Sequence, residues 1–531
     1  TAFLKAVLFI HKKNMENNMK VAMTGVSGNM GREALIQALE LDFICFVRVL
    51  ITPKKKNNKL VKQLKSKYGD RVQIVRGWLY DASSCDELVE GCDVVINMAA
   101  VIPPKSDKDP RASYLCNQLG AMRLADAVAA MPKQAKLIHT STVALYGNRT
   151  LAHPWGRVGD PLMPSAYDNY AMHKLLGERY VLESPVENVA VLRQTAMLYD
   201  GIIFSNISDG LLFHTTLNGP LEWVTARDSG LLIKHILMKE NLGENGKFWN
   251  GIYDISGGAH NRRTGYDTFA DGFSIMGGSP KAYIRPNWCA TRNFHGLWYA
   301  DSVLEEMFGY QTESVADFWQ RMGKKYAAFK LARIVPSGFI RFFVFKRLLN
   351  DANSPMRWLK DGDVGKVTAV FGGTGAAASV AKDWKDFELE NAEAYGSEEE
   401  DPVSACKDKL LSHGYDEDKE EVEWTLEDMQ QAAEYRGGKC LSKEMVSDHR
   451  AKLLWQCCEG HTFSASPFTV LKGGHWCPVC QPEPWNYDKL AKKMPFYAQV
   501  WYDSHSPEEN FSYYFDKDGD ACIKEEQEEE K

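Results

Sequence analysis

The stretch KVAMTGVSGNMG, residues 20–31, constrains the fold of this chain more than any other. A short apolar run meets a turn with glycines at three positions, and the helical pattern REALIQAL follows at once. Glycine permits a sharp turn, a close approach to a pyrophosphate and tight packing of helix on strand. The helix N-terminus offers N–H groups to phosphates. We therefore predict a dinucleotide-binding turn, with the following cofactor contacts: Gly25, Ser27, Gly28, Asn29, Met30 and Gly31.

Composition restricts the class of protein. The chain has 531 residues, which suggests two to four domains, and its 44% hydrophobic and 25% charged content is that of a soluble globular protein. A net charge of −7 argues against polyanion binding by the whole chain. The 12 cysteines form no regular disulfide framework. No apolar run of about 20 residues occurs, so we expect no transmembrane helix and a cytoplasmic location.

Apolar runs at residues 44–51, 72–75, 92–100 and 136–140 alternate with helical patterns up to residue 195. This alternation predicts an α/β fold with a Rossmann-type, doubly wound parallel sheet. Small residues end the run at 92–100, so a cofactor could lie close over Met98, Ala99 and Ala100.

Changes in composition divide the chain into six segments. We expect a leader or an added segment at 1–18, a catalytic domain at 19–325 with its substrate part mainly at 199–325, a helical cap at 326–390, an acidic linker at 391–425, a zinc-ribbon-like module at 426–500 and an acidic tail at 501–531.

The end of the second predicted strand bears on cofactor choice. An acidic residue there would hold the ribose hydroxyl of NAD. This chain has Thr52 instead, followed by Lys54, Lys55 and Lys56. A hydroxyl and three ammonium groups favour the 2′-phosphate of NADP, with NAD as the alternative. The lysine run is also compatible with a plain solvated loop.

Tyr170 and Lys174 form a Y-x-x-x-K pattern on a predicted helix. One helical turn brings both side chains to the same face. We expect the Lys174 ammonium to lower the pKa of Tyr170, so that the phenol exchanges a proton with an alcohol or ketone. Thr142, at a strand end, can donate a hydrogen bond to the same substrate oxygen.

Six motifs in order resemble the extended short-chain dehydrogenase/reductase family, also called the NAD-dependent epimerase/dehydratase family. They are TGVSGNMG, WLYD, NMAA, STVALYG, YAMHK and LRQTAMLYDG, and they lie between residues 24 and 201. The resemblance implies a proton relay of Thr142, Tyr170 and Lys174, with Asn117 as a fourth member.

The same resemblance implies further contacts to the cofactor. Asp81 and its neighbour Ala82 would lie at the adenine, Tyr170 and Lys174 near the nicotinamide, and Thr195 and Met197 in the loop beside it. Family members often form homodimers, so a homodimer is expected by resemblance.

The substrate part is rich in aromatic residues, which favours a small, hydrophobic alcohol or ketone, such as a steroid-like compound. The alternative is a nucleotide-sugar epimerase or dehydratase, whose diphosphate would need cations such as Arg227, Arg262, Arg263 and Arg292. A third alternative is a non-catalytic scaffold that senses the cofactor.

Residues 326–349 mix apolar residues with Lys330, Arg333, Arg341, Lys346 and Arg347. We expect a helical cap packed on the catalytic domain. Basic amphipathic helices also lie at membrane surfaces, so peripheral membrane contact is the alternative.

Four residues near the C-terminus have the spacing of a metal site. Cys457 and His461 precede the C-x-x-C pair of Cys477 and Cys480, and this set predicts a structural Zn²⁺ with no open position. Cys458 is a rival ligand to Cys457. The surrounding sequence resembles a treble-clef-like zinc-ribbon module, and its acidic setting argues against nucleic acid as a partner.

Overall fold

The computed structural model describes residues 18–206, 208–292, 295–445, 448–481, 483, 485–517 and 521–526. Apart from Asn18, the predicted leader lies outside the described residues. Among the helices of the described part, none is both long and apolar enough to cross a membrane.

A seven-stranded sheet forms the centre of the N-terminal part, and all its strands are parallel. Their bounds are β1 Met19–Met23, β2 Ile44–Ile51, β3 Val72–Arg76, β4 Val94–Asn97, β5 Lys136–Thr142, β6 Val189–Gln194 and β7 Gly251–Ile255. The spatial order is β7-β6-β5-β4-β1-β2-β3. Strand order therefore reverses between β1 and β4, where doubly wound sheets bind their ligands. The predicted fold class is confirmed.

An α-helix of at least eight residues follows each of the first six strands. These helices are α1 Asn29–Ala38, α2 Asn58–Tyr68, α3 Ala82–Val89, α4 Gly120–Ala129, α5 Asn169–Glu183 and α6 Ala226–Leu242. Helices therefore cover the sheet on both faces, which is why strands such as β4 are apolar at consecutive positions and wholly buried.

Small sheets and short helices lie outside this central sheet. Strand Pro220–Thr225 pairs in parallel with Ala196–Leu198 and antiparallel with Arg262–Thr264, and Trp155–Gly156 pairs with Trp298–Tyr299. The further α-helices up to residue 379 are Lys105–Lys108, Pro110–Ser113, Ile202–Asn206, Gly265–Ser274, Pro280–Tyr283, Val303–Phe308, Val315–Lys325, Ser337–Ile340, Lys346–Leu348, Pro355–Asp361, Val364–Phe371 and Thr374–Ser379.

The C-terminal part contains an antiparallel sheet of Lys439–Cys440, Leu453–Gln456 and Thr462–Ala465, and a hairpin of Phe511–Phe515 and Ala521–Glu525. Its α-helices are Pro402–Ala405, Leu426–Tyr435, Tyr487–Ala491 and Pro495–Trp501.

The two parts share one hydrophobic core. Tyr146 and Leu175 of the N-terminal part cluster with Trp455, Trp476 and Phe496 of the C-terminal part, all buried. The segment expected to be a linker takes part, because Leu411 belongs to this cluster and the buried His413 contacts Asp160 through its Nε2, 2.9 Å from Oδ1. The region expected to be a module of its own is thus packed broadly against the catalytic part.

Two glycines with left-handed backbones allow a test of the turn. A Cβ on Gly25 (φ +76°) would lie 2.4 Å from the carbonyl oxygen of Met98, whereas one on Gly243 (φ +74°) would meet no atom within 4 Å. We expect Gly243→Ala to lower the free energy of unfolding by about 1 kcal/mol, the cost of the left-handed conformation. Gly25→Ala adds a backbone collision and should cost about 3 kcal/mol or more. Urea denaturation measures both, and equal losses would contradict the close packing of the turn on β4.

Candidate active site and metal cluster

The glycine-rich turn lies between β1 and α1, beside the point where strand order reverses. The amide of Gly28 donates to the carbonyl of Gly25 (2.8 Å), which closes the turn. Ser27, Gly28 and Asn29 are exposed, and Met30 and Gly31 are buried beneath them. The turn therefore leaves its backbone open to a phosphate at the start of α1.

Thr24, which precedes this turn, ties β1 to β4. Its hydroxyl donates to Asn97 Oδ1 (2.7 Å) and accepts from the amides of Met98 (3.1 Å) and Ala99 (3.0 Å). These bonds turn the chain away after Asn97, so β4 ends before the predicted run 92–100 does. Sequence reasoning did not single out Thr24 or Asn97, although Thr24 stands at the head of the glycine motif.

The predicted adenine end lies beyond β2 and β3. Asp81 is exposed and accepts from the hydroxyls of Ser84 (2.6 Å) and Ser83 (3.1 Å), which hold its pKa below the ordinary value. Thr52 Oγ1 accepts from the Asn57 amide (2.7 Å). Lys54 Nζ lies 5.2 Å from the centre of the Trp78 ring. Carboxylate, hydroxyl and ammonium groups thus stand together at this edge, next to the exposed Ala82.

Helix α5 carries the predicted catalytic pair. Asp168 caps the helix by accepting from the amide of Ala171 (3.0 Å), and Lys174 Nζ donates to the carbonyl of Thr140 on β5 (2.8 Å). The side chain of Thr142 lies beside that of Tyr170, where hydrogen bonding lowers the pKa of the phenol. The structure thus brings Thr142 and Tyr170 into contact and anchors Lys174 on the same strand.

The prediction that Lys174 lowers the pKa of Tyr170 was wrong. Burial raises the pKa of Tyr170, and the hydrogen bond with Thr142 opposes that rise only in part. Lys174 is not among the groups that shift this pKa. Its own pKa is lowered by burial to about 8. Tyr170 is therefore a proton donor rather than a phenolate in this state.

Asn117 lies in a π-helical turn, Tyr114–Leu119, and its side chain is occupied by the backbone. Oδ1 accepts from the amide of Val101 (2.9 Å), and Nδ2 donates to the carbonyl of Val101 (2.8 Å) and to Ser113 Oγ (3.0 Å). These contacts do not support the expected role of this side chain in a proton relay. They fix the segment after Met98–Ala100 instead.

The loop after β6 is also held by hydrogen bonds. Thr195 Oγ1 donates to the carbonyl of Glu222 (2.8 Å), and Gln194 Oε1 accepts from Ser229 Oγ (3.1 Å). Met197 is half-buried. The hydroxyl of Thr195 is thus engaged within the protein, while the loop reaches the cavity described next.

A cavity of about 510 Å³ opens beside the start of α5. Asp168 and Ala196 line the end of the cavity next to α5, and most other lining side chains are apolar or aromatic. Those include Leu198, Ile202, Leu212, Trp223, Phe269, Phe273, Met276, Trp319 and Phe329. Burial raises the pKa of Asp168 to about 8, so a neutral carboxyl borders the cavity at neutral pH. Sequence reasoning did not single out Asp168, although it directly precedes α5 as a cap.

The comparisons with known proteins agree with this geometry. Residues 21–193 match the model of the NAD dependent epimerase/dehydratase family. The matched region runs from β1 to β6 and includes α5. Among curated proteins, none matches this chain.

Solved structures of low identity resemble part of this chain. The dTDP-glucose 4,6-dehydratase of Bacillus anthracis in complex with NAD is 18% identical, with 59% of this chain and 98% of that chain covered and a TM-score of 0.44. The UDP-glucuronic acid 4-epimerase of Bacillus cereus in complex with NAD is 20% identical, with 59% of this chain and 98% of that chain covered and a TM-score of 0.43. DesIV, a dTDP-glucose 4,6-dehydratase of Streptomyces venezuelae with NAD and TYD bound, is 21% identical, with 60% of this chain and 100% of that chain covered and a TM-score of 0.47. Likenesses of this size carry no argument about substrate.

The predicted metal ligands lie together in the C-terminal part. Cys457 Sγ is 3.8 Å from Cys480 Sγ and 3.5 Å from His461 Nδ1. His461 Nδ1 is 3.3 Å from Cys480 Sγ and 3.7 Å from Cys477 Sγ. A tetrahedral Zn²⁺ with bonds of about 2.3 Å to sulfur requires ligand separations of about 3.8 Å. The four side chains therefore fit such an ion, whereas Cys458 contacts Glu459 instead.

The loop that leads into this cluster reaches the catalytic helix. Glu178, one turn after Lys174 in α5, forms a fully buried ion pair with Arg193 of β6, at 2.6 Å. Arg193 Nη2 also donates to the carbonyl of Gly473 (2.6 Å), and Glu178 Oε1 lies 3.0 Å from His475 Nε2. Burial alone would raise the pKa of Glu178, but Arg193 and His475 hold it well below the ordinary value.

The burial of Lys174 leads to a test by pH. Its pKa of about 8 in the folded protein is below its ordinary value of 10.5. The unfolded chain therefore binds more protons between these values, and the stability of the folded state rises with pH across this window. Between pH 7.5 and 9.5 the free energy of unfolding should rise by about 2 kcal/mol relative to Lys174→Met, which lacks the titrating group.

The measurement is urea denaturation of both proteins at the two pH values, because all other titrating groups cancel in the difference. Lys174→Met should also be more stable than the original protein at pH 7.5, since it removes a buried cation. A constant difference between the two proteins would contradict the lowered pKa.

Proposed function

We propose that the protein is an NAD(P)-dependent oxidoreductase that transfers a hydride between the nicotinamide and a hydroxyl or carbonyl group of a small, hydrophobic substrate. The observation that carries this proposal is the contact of Thr142 with Tyr170 on a helix whose cap, Asp168, lines a mainly apolar cavity. Tyr170 lies two residues beyond Asp168, so we infer that a carbonyl at that end of the cavity would approach the phenol.

The residues of the chain supply binding and proton transfer. A nicotinamide cofactor, when bound, supplies the hydride to the carbonyl carbon. Tyr170 gives its proton to the carbonyl oxygen, and Thr142 donates a hydrogen bond to the same oxygen. Lys174 ties α5 to β5 by donating to the carbonyl of Thr140, so it would position Tyr170 beside Thr142. The reverse sequence oxidises an alcohol.

Two sets of cations support the choice of ligands. Lys54, Lys55 and Lys56 are exposed after β2, where a 2′-phosphate of NADP would lie, so we propose NADP over NAD. Within the predicted substrate part, in contrast, three of the four candidate arginines are paired with carboxylates. Arg262 pairs with Glu222, Arg263 with Asp271 and Arg292 with Glu509. This pairing leaves little charge for a diphosphate and supports an uncharged, lipophilic substrate.

The family match favours a second candidate, a nucleotide-sugar epimerase or dehydratase. Such an enzyme returns the hydride to its substrate and so keeps its cofactor bound. Arg227 is exposed at the start of α6 and could meet a phosphate. Nicotinamide absorbance that stays with the protein after desalting would favour this candidate, whereas freely exchanging cofactor favours the first.

Calorimetric titration of the full chain with NADPH and NADH tests the cofactor. We expect NADPH to bind at least about tenfold more tightly, because the lysines after β2 attract its extra phosphate. Replacing Lys54, Lys55 and Lys56 by alanine should remove the preference. Replacing Lys62, Lys65 and Lys67 of α2 by alanine is the matched control and should preserve it.

Turnover then tests the proton donor. Tyr170→Phe should bind NADPH as the original protein does, yet oxidise it with cyclic lipophilic ketones at least about 100-fold more slowly, since general acid catalysis is lost. Unchanged turnover in Tyr170→Phe would refute the assigned role. If the protein binds neither NADPH nor NADH, the third alternative from the sequence, a non-catalytic scaffold, would be favoured.

We further propose that Cys457, His461, Cys477 and Cys480 hold one structural Zn²⁺. All four positions of a tetrahedral ion would be filled by protein, so no site remains for catalysis. The ion would fix the loop from Gly473 to Cys480, which carries His475 to the catalytic helix.

Metal analysis of the purified protein should therefore find one zinc per chain. Cys480→Ser should lose the metal and lower the melting temperature, because a structural zinc contributes its binding free energy to folding. Cys458→Ser should retain both metal and stability. Zinc loss in Cys458→Ser, or full zinc content in Cys480→Ser, would contradict the assigned ligands.

A further inference from the structure

Residues 330–347 expose a group of large apolar side chains to solvent. The exposed fraction is 64% for Leu331, 79% for Ile334, 55% for both Phe339 and Phe342, and 57% for Phe343. The rings of Phe339 and Phe343 lie 4.2 Å apart, and those of Phe342 and Phe343 lie 5.0 Å apart. The three phenylalanines therefore form a contiguous apolar patch, and Leu331 and Ile334 add exposed apolar surface in the same segment, of the kind that marks an interaction site.

The patch is the outer face of a helical segment whose inner face is anchored. Ile340, Phe345 and Leu348 are buried in a core cluster with Phe273 and Tyr283. The backbone is helical from residue 337 to residue 348, with a π-helical turn at Arg341–Phe345. The expected packing as a cap therefore holds for one face only. The helix lies along the protein surface and directs its phenylalanines outward.

Positive charges surround this apolar face, and negative charges are absent from its sequence. Residues 326–350 contain Lys330, Arg333, Arg341, Lys346 and Arg347 but no aspartate or glutamate. Lys330, Arg333, Lys346 and Arg347 are exposed, and Lys346 Nζ lies 4.7 Å from the centre of the Phe342 ring. Two copies of this surface placed face to face would bring ten like charges together, which disfavours self-association.

We propose that this surface, formed by the five apolar side chains and five cations, binds the surface of an anionic lipid bilayer. Aromatic and aliphatic side chains beside lysine and arginine are typical of helices that lie in the membrane interface. The apolar side chains would enter the boundary between headgroups and acyl chains, and the cations would contact lipid phosphates and carboxylates. The contact with lipid does not depend on the enzymatic activity proposed above.

The surface adjoins the apolar cavity. Phe329, which lines the cavity, directly precedes Lys330. The ring of the exposed Phe204 packs on the ring of Phe329, with the ring centres 5.9 Å apart. A protein bound through residues 330–347 would hold the rim of the cavity towards the lipid.

Vesicle flotation of the full chain tests the proposal. The vesicles are phosphatidylcholine alone, or phosphatidylcholine with about 30% phosphatidylserine. We expect the protein to float with the anionic vesicles at least about tenfold more strongly than with the neutral ones, and the difference to shrink as salt is raised. Failure to float with anionic vesicles would overturn the proposal.

Variants separate the two contributions. Phe342→Ser with Phe343→Ser should reduce binding to anionic vesicles at least about tenfold through loss of apolar insertion. Lys346→Ser with Arg347→Ser should weaken that binding and its dependence on salt. The control removes equal charge elsewhere, with Lys62→Ser and Lys65→Ser on α2, and should bind as the original protein does.

All these side chains are exposed, so the variants should fold, and circular dichroism with NADPH binding checks that they do. If the phenylalanine and α2 variants float alike, the patch is not the binding surface and the proposal is wrong. Sedimentation velocity provides the remaining arm. The original protein could form a dimer that the phenylalanine variant does not form, and fail to bind vesicles. That result would show that a second copy of the chain, not lipid, covers the patch, and it would overturn the proposal.

Discussion

The buried ion pair of Glu178 and Arg193 connects the main parts of this molecule. Glu178 belongs to the helix of Tyr170 and Lys174, Arg193 to the neighbouring strand, and both meet the loop of Gly473 and His475. Removing one member of a buried pair costs about 3–5 kcal/mol, because the other charge stays behind without a partner. Arg193 also donates to Tyr146 Oη (2.8 Å), so one guanidinium holds catalytic helix, sheet and C-terminal part together.

The same burial shapes the chemistry of the site. Lys174 is buried beside β5 and Tyr170 is half-buried, and loss of water contact lowers the pKa of the amine and raises that of the phenol. Binding of a ligand would shift the pKa values of both groups, since a cationic nicotinamide or a substrate oxygen changes the local charge. The mainly apolar cavity at Asp168 extends this low-polarity environment towards the substrate.

The sequence predicted the parts of the structure that depend on local pattern. Apolar runs of strand length and the glycines at Gly25 and Gly31 encode the parallel sheet and its turn, and the C-x-x-C spacing encodes the Cys and His cluster. What it did not predict depends on distant contacts. Glu178 and His475 are 297 positions apart, and no local pattern shows that they meet. The raised pKa of Tyr170 likewise follows from burial. The contacts of the Asn117 side chain depend on where the backbone of Val101 lies.

The shared core of the two parts has a consequence for the order of events during synthesis. A ribosome delivers the sheet and the catalytic helix long before Trp455, Trp476 and Phe496, which cover Tyr146 and Leu175 in the finished protein. Until those aromatic residues emerge, the nascent N-terminal part has an open apolar face and an ion pair exposed to water. Chaperones that bind apolar surfaces could bind this face until the C-terminal part has been synthesised. A stop codon before residue 411 would leave the face permanently exposed.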